Sequence, residues 1–537
     1  MTTPLRYFDC NCEIGPRQPK DPQAPWRTED VLADLDWVGI DGALVRLTLH
    51  AALDEAEMRR RLASEIAKAP GRLFPVWPAV PSDAGDFGPP AELVSAARDA
   101  GVRAVELCPD TYRFPMDTRM LAPLLRAIAD AGLTLLVRAA ELPPDPTGMY
   151  GALRSLCEAC PGVPVVGMGF GWGHQRVIAG LLERCPSFHI ELSRYQIHRG
   201  IETYTERFGP ERLLFGTGAP SMSPGAARAY IDYAAVGDDA KAAIAGGNLR
   251  RLLGVEPDAC PAPEDDDPIR AAARQGRPVD DSPVFDAHCH VLFEGGQGAG
   301  FIPMYDGDAK GLLETAARVG TRTTAMMSWS GPLGGDMAAG NDLVQRAARD
   351  FPGRVLGMAY ANPTHCARED LIAELRSRID EQGFVGIKPY HRVGVAYDDP
   401  LWAPVWELAG ERGVYCLMDV SGAAGGVEPV ARIAERFPGT QFVIAHSGSS
   451  WGMARLVADA MKRRPNAWAE LTYTSVTNGA VEFLATEGDE DRVLYGTDAP
   501  MRDPRPQFGW VAWAKLPLKA RRKILGENYA RLAGLEL

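Results

Sequence analysis

Two histidines one residue apart, His288 and His290, leave the run Val284-Phe285-Asp286-Ala287 together. On a strand, residues i and i+2 share a face. Both imidazoles are therefore predicted to project to one place, as two neutral ligands of a single cation must. Comparable side chains stand at the ends of later apolar runs: Lys388 and His391 in GIKPYH, Asp419 in YCLMDVSG, His446 in FVIAHSG and Asp498 in LYGTDAP. Carboxylates are rarely buried without a partner, and a divalent ion would supply one. Such an ion can lower the pKa of water and polarise a carbonyl, while a histidine such as His446 moves the proton. The alternative for each residue is a cap on its own loop, and it weighs most for His391 and Lys388.

The elements that must position these groups come in two copies. Leu214-Phe215-Gly216-Thr217-Gly218-Ala219-Pro220 matches Leu494-Tyr495-Gly496-Thr497-Asp498-Ala499-Pro500, and Trp172-Gly173 matches Trp451-Gly452. Phe8-Asp9 matches Phe285-Asp286, and Asn248 matches Asn528, so every partner lies 277–280 residues on. A nearly constant offset over most of the chain indicates a tandem duplication. In the second copy, strands are predicted near 284–287, 322–328, 354–361, 384–389, 413–419, 441–446, 466–472 and 492–497. Helical patterns such as Leu371–Gln382 and Val430–Phe437 fall between them. The first copy gives strands near 5–9, 41–47, 72–79, 102–107, 133–138, 163–168, 188–192 and 212–216. Eight strand–helix units in each copy have the rhythm of a (β/α)8 TIM barrel, whose reacting groups sit at the C-terminal strand ends. A doubly wound open sheet is the alternative, but no Gly-rich phosphate turn follows a first strand. The expected domains are 1–253 and 284–537, packed as an intramolecular pseudo-dimer, with a proline- and acid-rich solvated linker at 254–283.

Composition narrows the function classes. The chain has 537 residues and a formal net charge of −13, which argues against nucleic acid or an anionic membrane as partner. No apolar run reaches the length of a membrane span and no signal peptide is visible at the start. Ten cysteines, several in apolar segments, read as reduced thiols of a cytoplasmic protein. Cys157-x-x-Cys160 has no second pair and reads as helix packing.

The order of His-x-His, a strand-6 histidine in AHSG and a strand-8 aspartate in YGTDAP resembles the amidohydrolase superfamily, in particular its amidohydrolase-related branch of decarboxylases and lactonases. The resemblance implies one divalent metal held by His288, His290 and Asp498, with His446 as acid or base. A strand-5 histidine usually completes such a set; Asp419 stands there instead, which tilts the metal from zinc towards manganese or iron. Lys388 stands where binuclear members carry a carboxylated lysine, so a second metal is an open alternative. In the first copy Asn11 and Glu13 replace the His-x-His pair and Glu106 replaces Lys388. Arg138 stands opposite Asp419, Gly167 opposite His446 and Gly218 opposite Asp498, so this copy is expected to be degenerate and metal-free. The expected activity is hydrolysis of an amide, lactone or ester of a small, aromatic or carboxylated molecule. The alternatives are nonoxidative decarboxylation or another lyase reaction, a changed iron chemistry, and a non-catalytic ligand-binding scaffold. Tyr390, Trp329, Trp451 and Tyr473 are candidate aromatic walls, and further homo-oligomerisation is open.

Overall fold

The structure, a computed structural model, describes residues 4–17, 24–261, 267–298, 300, 302–422 and 425–537. The chain divides into two compact units, Met1–Gln196 with Gly200–Glu264, and Ile197–Arg199 with Asp265–Leu537.

Unit 1 contains β1 (Tyr7–Ile14), β2 (Ile40–Leu47), β3 (Leu73–Ala79), β4 (Ala104–Leu107), β5 (Thr134–Arg138), β6 (Val165–Met168), β7 (Phe188–Glu191) and β8 (Leu213–Leu214). Unit 2 contains β9 (Val284–Val291), β10 (Thr321–Ser328), β11 (Val355–Ala361), β12 (Gly386–Pro389), β13 (Tyr415–Met418), β14 (Gln441–Ile444), β15 (Ala467–Leu471) and β16 (Val493–Tyr495). Each unit is one sheet of eight strands in sequential order, and neighbouring strands run parallel. In unit 1, Cys10 N donates to Phe215 O and Gly218 N to Asn11 O, both at 2.9 Å, closing β1 onto the last strand. In unit 2, Asp498 N donates to His288 O at 2.7 Å and His290 N to Ala499 O at 2.6 Å. These are two tandem TIM barrels, as the strand–helix rhythm predicts.

The strands are apolar on both faces because one face fills the barrel and the other meets helices. Phe285, Ala287, Met358, Leu417, Val443 and Leu494 meet in the unit 2 core. The helix Val427–Arg436 buries Val427, Val430, Ala431, Ile433 and Ala434, the stripe a helix needs to lie on a sheet. The helix Trp451–Arg463 starts where Ser450 accepts a bond from Met453 N at 3.1 Å, an N-cap. The pattern read over Leu371–Gln382 is a helix Arg368–Arg376 followed by a wider turn at Ser377–Glu381.

The described residues of the 254–283 stretch, 254–261 and 267–283, are more structured than their composition predicts. Pro268–Arg274 forms a helix capped by Asp267 and buries Ile269, Ala272 and Ala273. Asp267 also pairs with Arg521. A stripe of one isoleucine and two alanines is enough to dock a short helix, and the surrounding proline and acid obscured it. Pro257 O accepts a bond from Arg6 at 3.1 Å, while residues 262–266 lie outside the described residues. Among the described residues no helix is long and apolar enough to cross a membrane.

Candidate metal centre

His288 and His290 lie inside β9, and both are buried. Their ring centroids are 5.3 Å apart. Asp498 follows β16, and its Oδ1 lies 3.2 Å from His290 Nε2 and 3.5 Å from His288 Nε2. The ligating atoms of the three side chains all fall within 4.8 Å of one another. The i, i+2 register brings the two rings to one face, and the closure of β16 onto β9 brings the aspartate to both.

The protons in this group can be placed. Glu470 Oε2 on β15 accepts from Thr472 Oγ1 at 2.9 Å and from His446 N at 3.3 Å. That oxygen is therefore an acceptor, and His288 Nδ1, 3.1 Å away, is the donor. His288 Nε2 is left with a lone pair, buried and without a hydrogen-bond partner among the described residues. It faces a carboxylate oxygen. Burial holds His288 well below the ordinary imidazole pKa and, with Lys388 adding, brings His290 to about 3. Two neutral imidazoles presenting nitrogen to one carboxylate oxygen fit a divalent cation and little else. Glu470 would act on that ion through His288, fixing ring and tautomer. Glu470→Gln is expected to weaken divalent-ion affinity ~10–100-fold with the fold intact; calorimetric titration of the full chain measures it.

His446 follows β14, with its ring centroid 5.4 Å from that of His288. Its Nδ1 lies 3.1 Å from the Thr472 carbonyl oxygen, which can only accept. The proton is therefore on Nδ1, and Nε2 is free to take another. Asp419 is beside His446: its Oδ2 lies 3.9 Å from His446 Nε2, while its Oδ1 accepts from Ser421 N at 3.0 Å. Asp419 is not part of the close His288–His290–Asp498 group. Lys388, on β12, is buried. Among the described residues its ammonium makes no hydrogen bond or ion-pair contact, and burial lowers its pKa against the pull of Asp419 and Glu470. The side chain of His391 lies outside the described residues. Of the aromatic residues, Trp329 stands edge-on to His290 at 5.3 Å and Tyr473 is 5.6 Å from His446. Trp451 packs on Phe483, and Tyr390 has its pKa pushed up to about 12, by burial first and Asp419 second.

A model of the amidohydrolase family matches residues 45–255 and 285–535, most of the chain. The chain belongs to the amidohydrolase family. No curated protein matches it. Among solved structures, an uncharacterized TIM-barrel protein from Bordetella bronchiseptica is 17% identical and covers 47% of this chain and 98% of its own, with a TM-score of 0.39. The 5-carboxyvanillate decarboxylase from Sphingomonas paucimobilis is 14% identical over 48% of this chain and 100% of its own, with a TM-score of 0.39. A dihydroxybenzoic acid decarboxylase from Polaromonas sp. JS666, solved with bound manganese, is 16% identical over 47% and 97%, with a TM-score of 0.38.

The two amidohydrolase barrels keep the same frame around different mouths. Asp9 and Asp286 each accept from the strand-1 backbone and from a threonine, Thr217 or Thr497. Glu191 accepts from Asn11 at 3.1 Å, the place of the Glu470–His288 bond. This recurrence is the signal the sequence reading missed: one buried glutamate at the matching place of the seventh strand in each copy, HIEL and WAEL. The partner of His446 is Gly169, not Gly167. Gly169 and His446 share a left-handed φ, 67° and 61°, and each donates its N–H to the strand-7 glutamate, Glu191 or Glu470. Gly218 and Asp498 also match, at φ 67° and 54°.

In place of a metal group, the unit 1 mouth holds an ion-pair network. Glu13 contacts Arg46 and Arg17 at 2.6 Å and Arg138 at 2.9 Å, and Glu106 contacts Arg138 at 2.6 Å. No metal-ligating triad occurs in unit 1 among the described residues. Burial pushes the Glu13 pKa up, but Arg46, Arg17 and Arg138 outweigh it and bring it to about 2. A depressed carboxylate contributes stability that is present above its unfolded pKa and lost as pH falls through the folded one. Unit 1 is therefore expected to lose on the order of 2 kcal/mol between about pH 4.5 and pH 2 through this group. Arg46→Met should remove part of that pH dependence, with Arg17 and Arg138 still paired to Glu13, and cost about 3 kcal/mol at neutral pH. Urea unfolding at several pH values measures both.

Proposed function

We propose that unit 2 is a divalent-metal-dependent lyase that decarboxylates a small carboxylated molecule without oxidation. The observation that carries this reading is Lys388, a buried lysine at the end of β12 that makes no hydrogen bond among the described residues and is set beside neutral imidazoles, its charge supported by Asp419 and Glu470. A buried cation of this kind calls for an anion, and a substrate carboxylate supplies one. His288, His290 and Asp498 would hold the ion. When bound, the ion polarises a substrate oxygen and stabilises negative charge that develops next to it. Lys388 binds and orients the carboxylate. The bond between that carboxylate and its carbon breaks, its electron pair stays on the carbon, and carbon dioxide leaves. His446, protonated at Nε2 with Asp419 stabilising the imidazolium, gives its proton to the same carbon and is recharged from solvent. Trp329 and Tyr473 supply flat walls for a conjugated or aromatic body.

Hydrolysis of a lactone or amide is the second reading, favoured by the free lone pair of His446 Nε2, which can equally take a proton from water. A panel of aromatic and unsaturated carboxylic acids and their lactones, assayed in parallel for carbon dioxide release and for ring opening, separates the two. Carbon dioxide release without ring opening is the expected result; ring opening alone replaces the first reading by the second. Lys388→Met is expected to raise KM for the carboxylate at least 10-fold while leaving metal content unchanged, about the worth of one charge-assisted contact.

A further inference from the structure

Arg502 lies four residues beyond Asp498 and was not singled out by its sequence. Its guanidinium is buried and is fixed from three sides. Nε donates to Thr474 Oγ1 at 2.8 Å. The guanidinium carbon lies 4.9 Å from the centre of the Tyr473 ring, a cation–π contact. Nη1 pairs with Asp498 Oδ2. The two oxygens of Asp498 thereby face different partners: Oδ2 stands against the arginine as an ion-pair contact without a hydrogen bond, and Oδ1 faces the Nε2 atoms of His288 and His290. Asp498 sits at φ 54°, a conformation that does not by itself fix where the carboxylate points.

Unit 1 shows the two positions exchanged together. Gly218 stands for Asp498, and Met222, four residues on, stands for Arg502. A Cβ on Gly218 would meet Met222 Sδ at 2.9 Å, so the methionine sulfur occupies room the carboxylate would need. The barrel without the aspartate also lacks the arginine, and an apolar side chain fills the gap.

We propose that Arg502 is a positioning residue for the metal centre: by holding Asp498 Oδ2 it presents Oδ1 alone, so that the aspartate binds the ion through one oxygen between the two imidazoles. The inference rests on the metal-centre reading of His288, His290 and Asp498. A planar fork held on Tyr473 and Thr474 does this in a way lysine cannot reproduce.

The test uses the full-length chain, stripped of metal and titrated with Mn2+, with free ion followed by electron paramagnetic resonance. Arg502→Met imports the residue of the matching unit 1 position, and Arg502→Lys keeps the charge without the fork. The expected order of affinity is wild type, then lysine, then methionine, with methionine ~10–100-fold weaker. The metal-free methionine variant should melt within a few degrees of the wild type, and the spectrum of bound Mn2+ should change in the lysine variant. Should the methionine variant fail to fold, the lysine variant decides by the same two readings. Variants that bind Mn2+ as tightly as the wild type and give the same bound spectrum overturn the inference and leave the metal centre standing. A wild-type chain that binds no Mn2+, Zn2+ or Fe2+ overturns the metal-centre reading itself.

Discussion

Replacing Asp498 by alanine, or His288 by alanine, is expected to abolish both divalent-ion binding and turnover in the full-length chain. Each change removes one of three atoms that converge within 4.8 Å. The loss should exceed the ~10–100-fold that an outer partner such as Glu470 costs, because His446 and Glu470, which also stand close to His288, are already engaged with Thr472 and with each other. Asp419 is the nearest in chemistry, yet its Oδ1 is held by Ser421 and its Oδ2 lies towards His446. Alanine keeps the left-handed φ at position 498 and leaves the buried Arg502 without its carboxylate, so the Asp498 variant should melt below the wild type while remaining folded. Metal content and melting temperature measured on the same preparation check both parts.

The second large effect is at His446. His446→Gly is expected to lower turnover by ~10²–10⁴-fold, the range for loss of a general acid–base group, while metal stays bound. His446 is not among the three side chains that meet at Asp498; its Nδ1 is engaged by Thr472 and its Nε2 points towards Asp419. The substitution should also raise stability by up to about 1 kcal/mol, since a left-handed φ costs a side-chain-bearing residue and not glycine. Gly169 already occupies the matching place in unit 1 at φ 67°. A variant more stable and far less active is a pattern that loss of folding cannot produce. Steady-state kinetics alongside thermal unfolding measure it, and a loss of bound metal would instead make His446 a ligand.

Much of this architecture was legible because barrels repeat one physical unit. Apolar runs of strand length recur at regular spacing, and the two copies match at nearly constant offset, so strand order followed directly. The meeting of His288, His290 and Asp498 follows from a two-residue period on β9 and from closure of the first strand onto the last. What the pattern does not carry is depth along a strand. Gly167 lies inside β6 and Gly169 just beyond it, and only the shared positive φ and the bond to Glu191 identify Gly169 as the partner of His446. Asp419 was read as a fourth ligand from its strand number, but the turn at Ser421 holds it on the His446 side. Glu470 was missed because a lone charge in an apolar run has no periodicity, and Arg502 because it stands among other charges in a loop; their meaning lies in contacts with His288 and Asp498. The helix Pro268–Arg274 was missed because its docking stripe is only three small or medium residues long.

The most direct measurement of the central claim is elemental analysis of the whole chain, purified without a chelating tag and supplied with Mn2+, Zn2+ or Fe2+. One equivalent of divalent ion per 537-residue chain is expected, bound by unit 2 and lost on His288→Ala. Two equivalents, with one surviving in the His288→Ala chain, would show that unit 1 also binds metal and contradict the account. So would a wild-type chain that binds none.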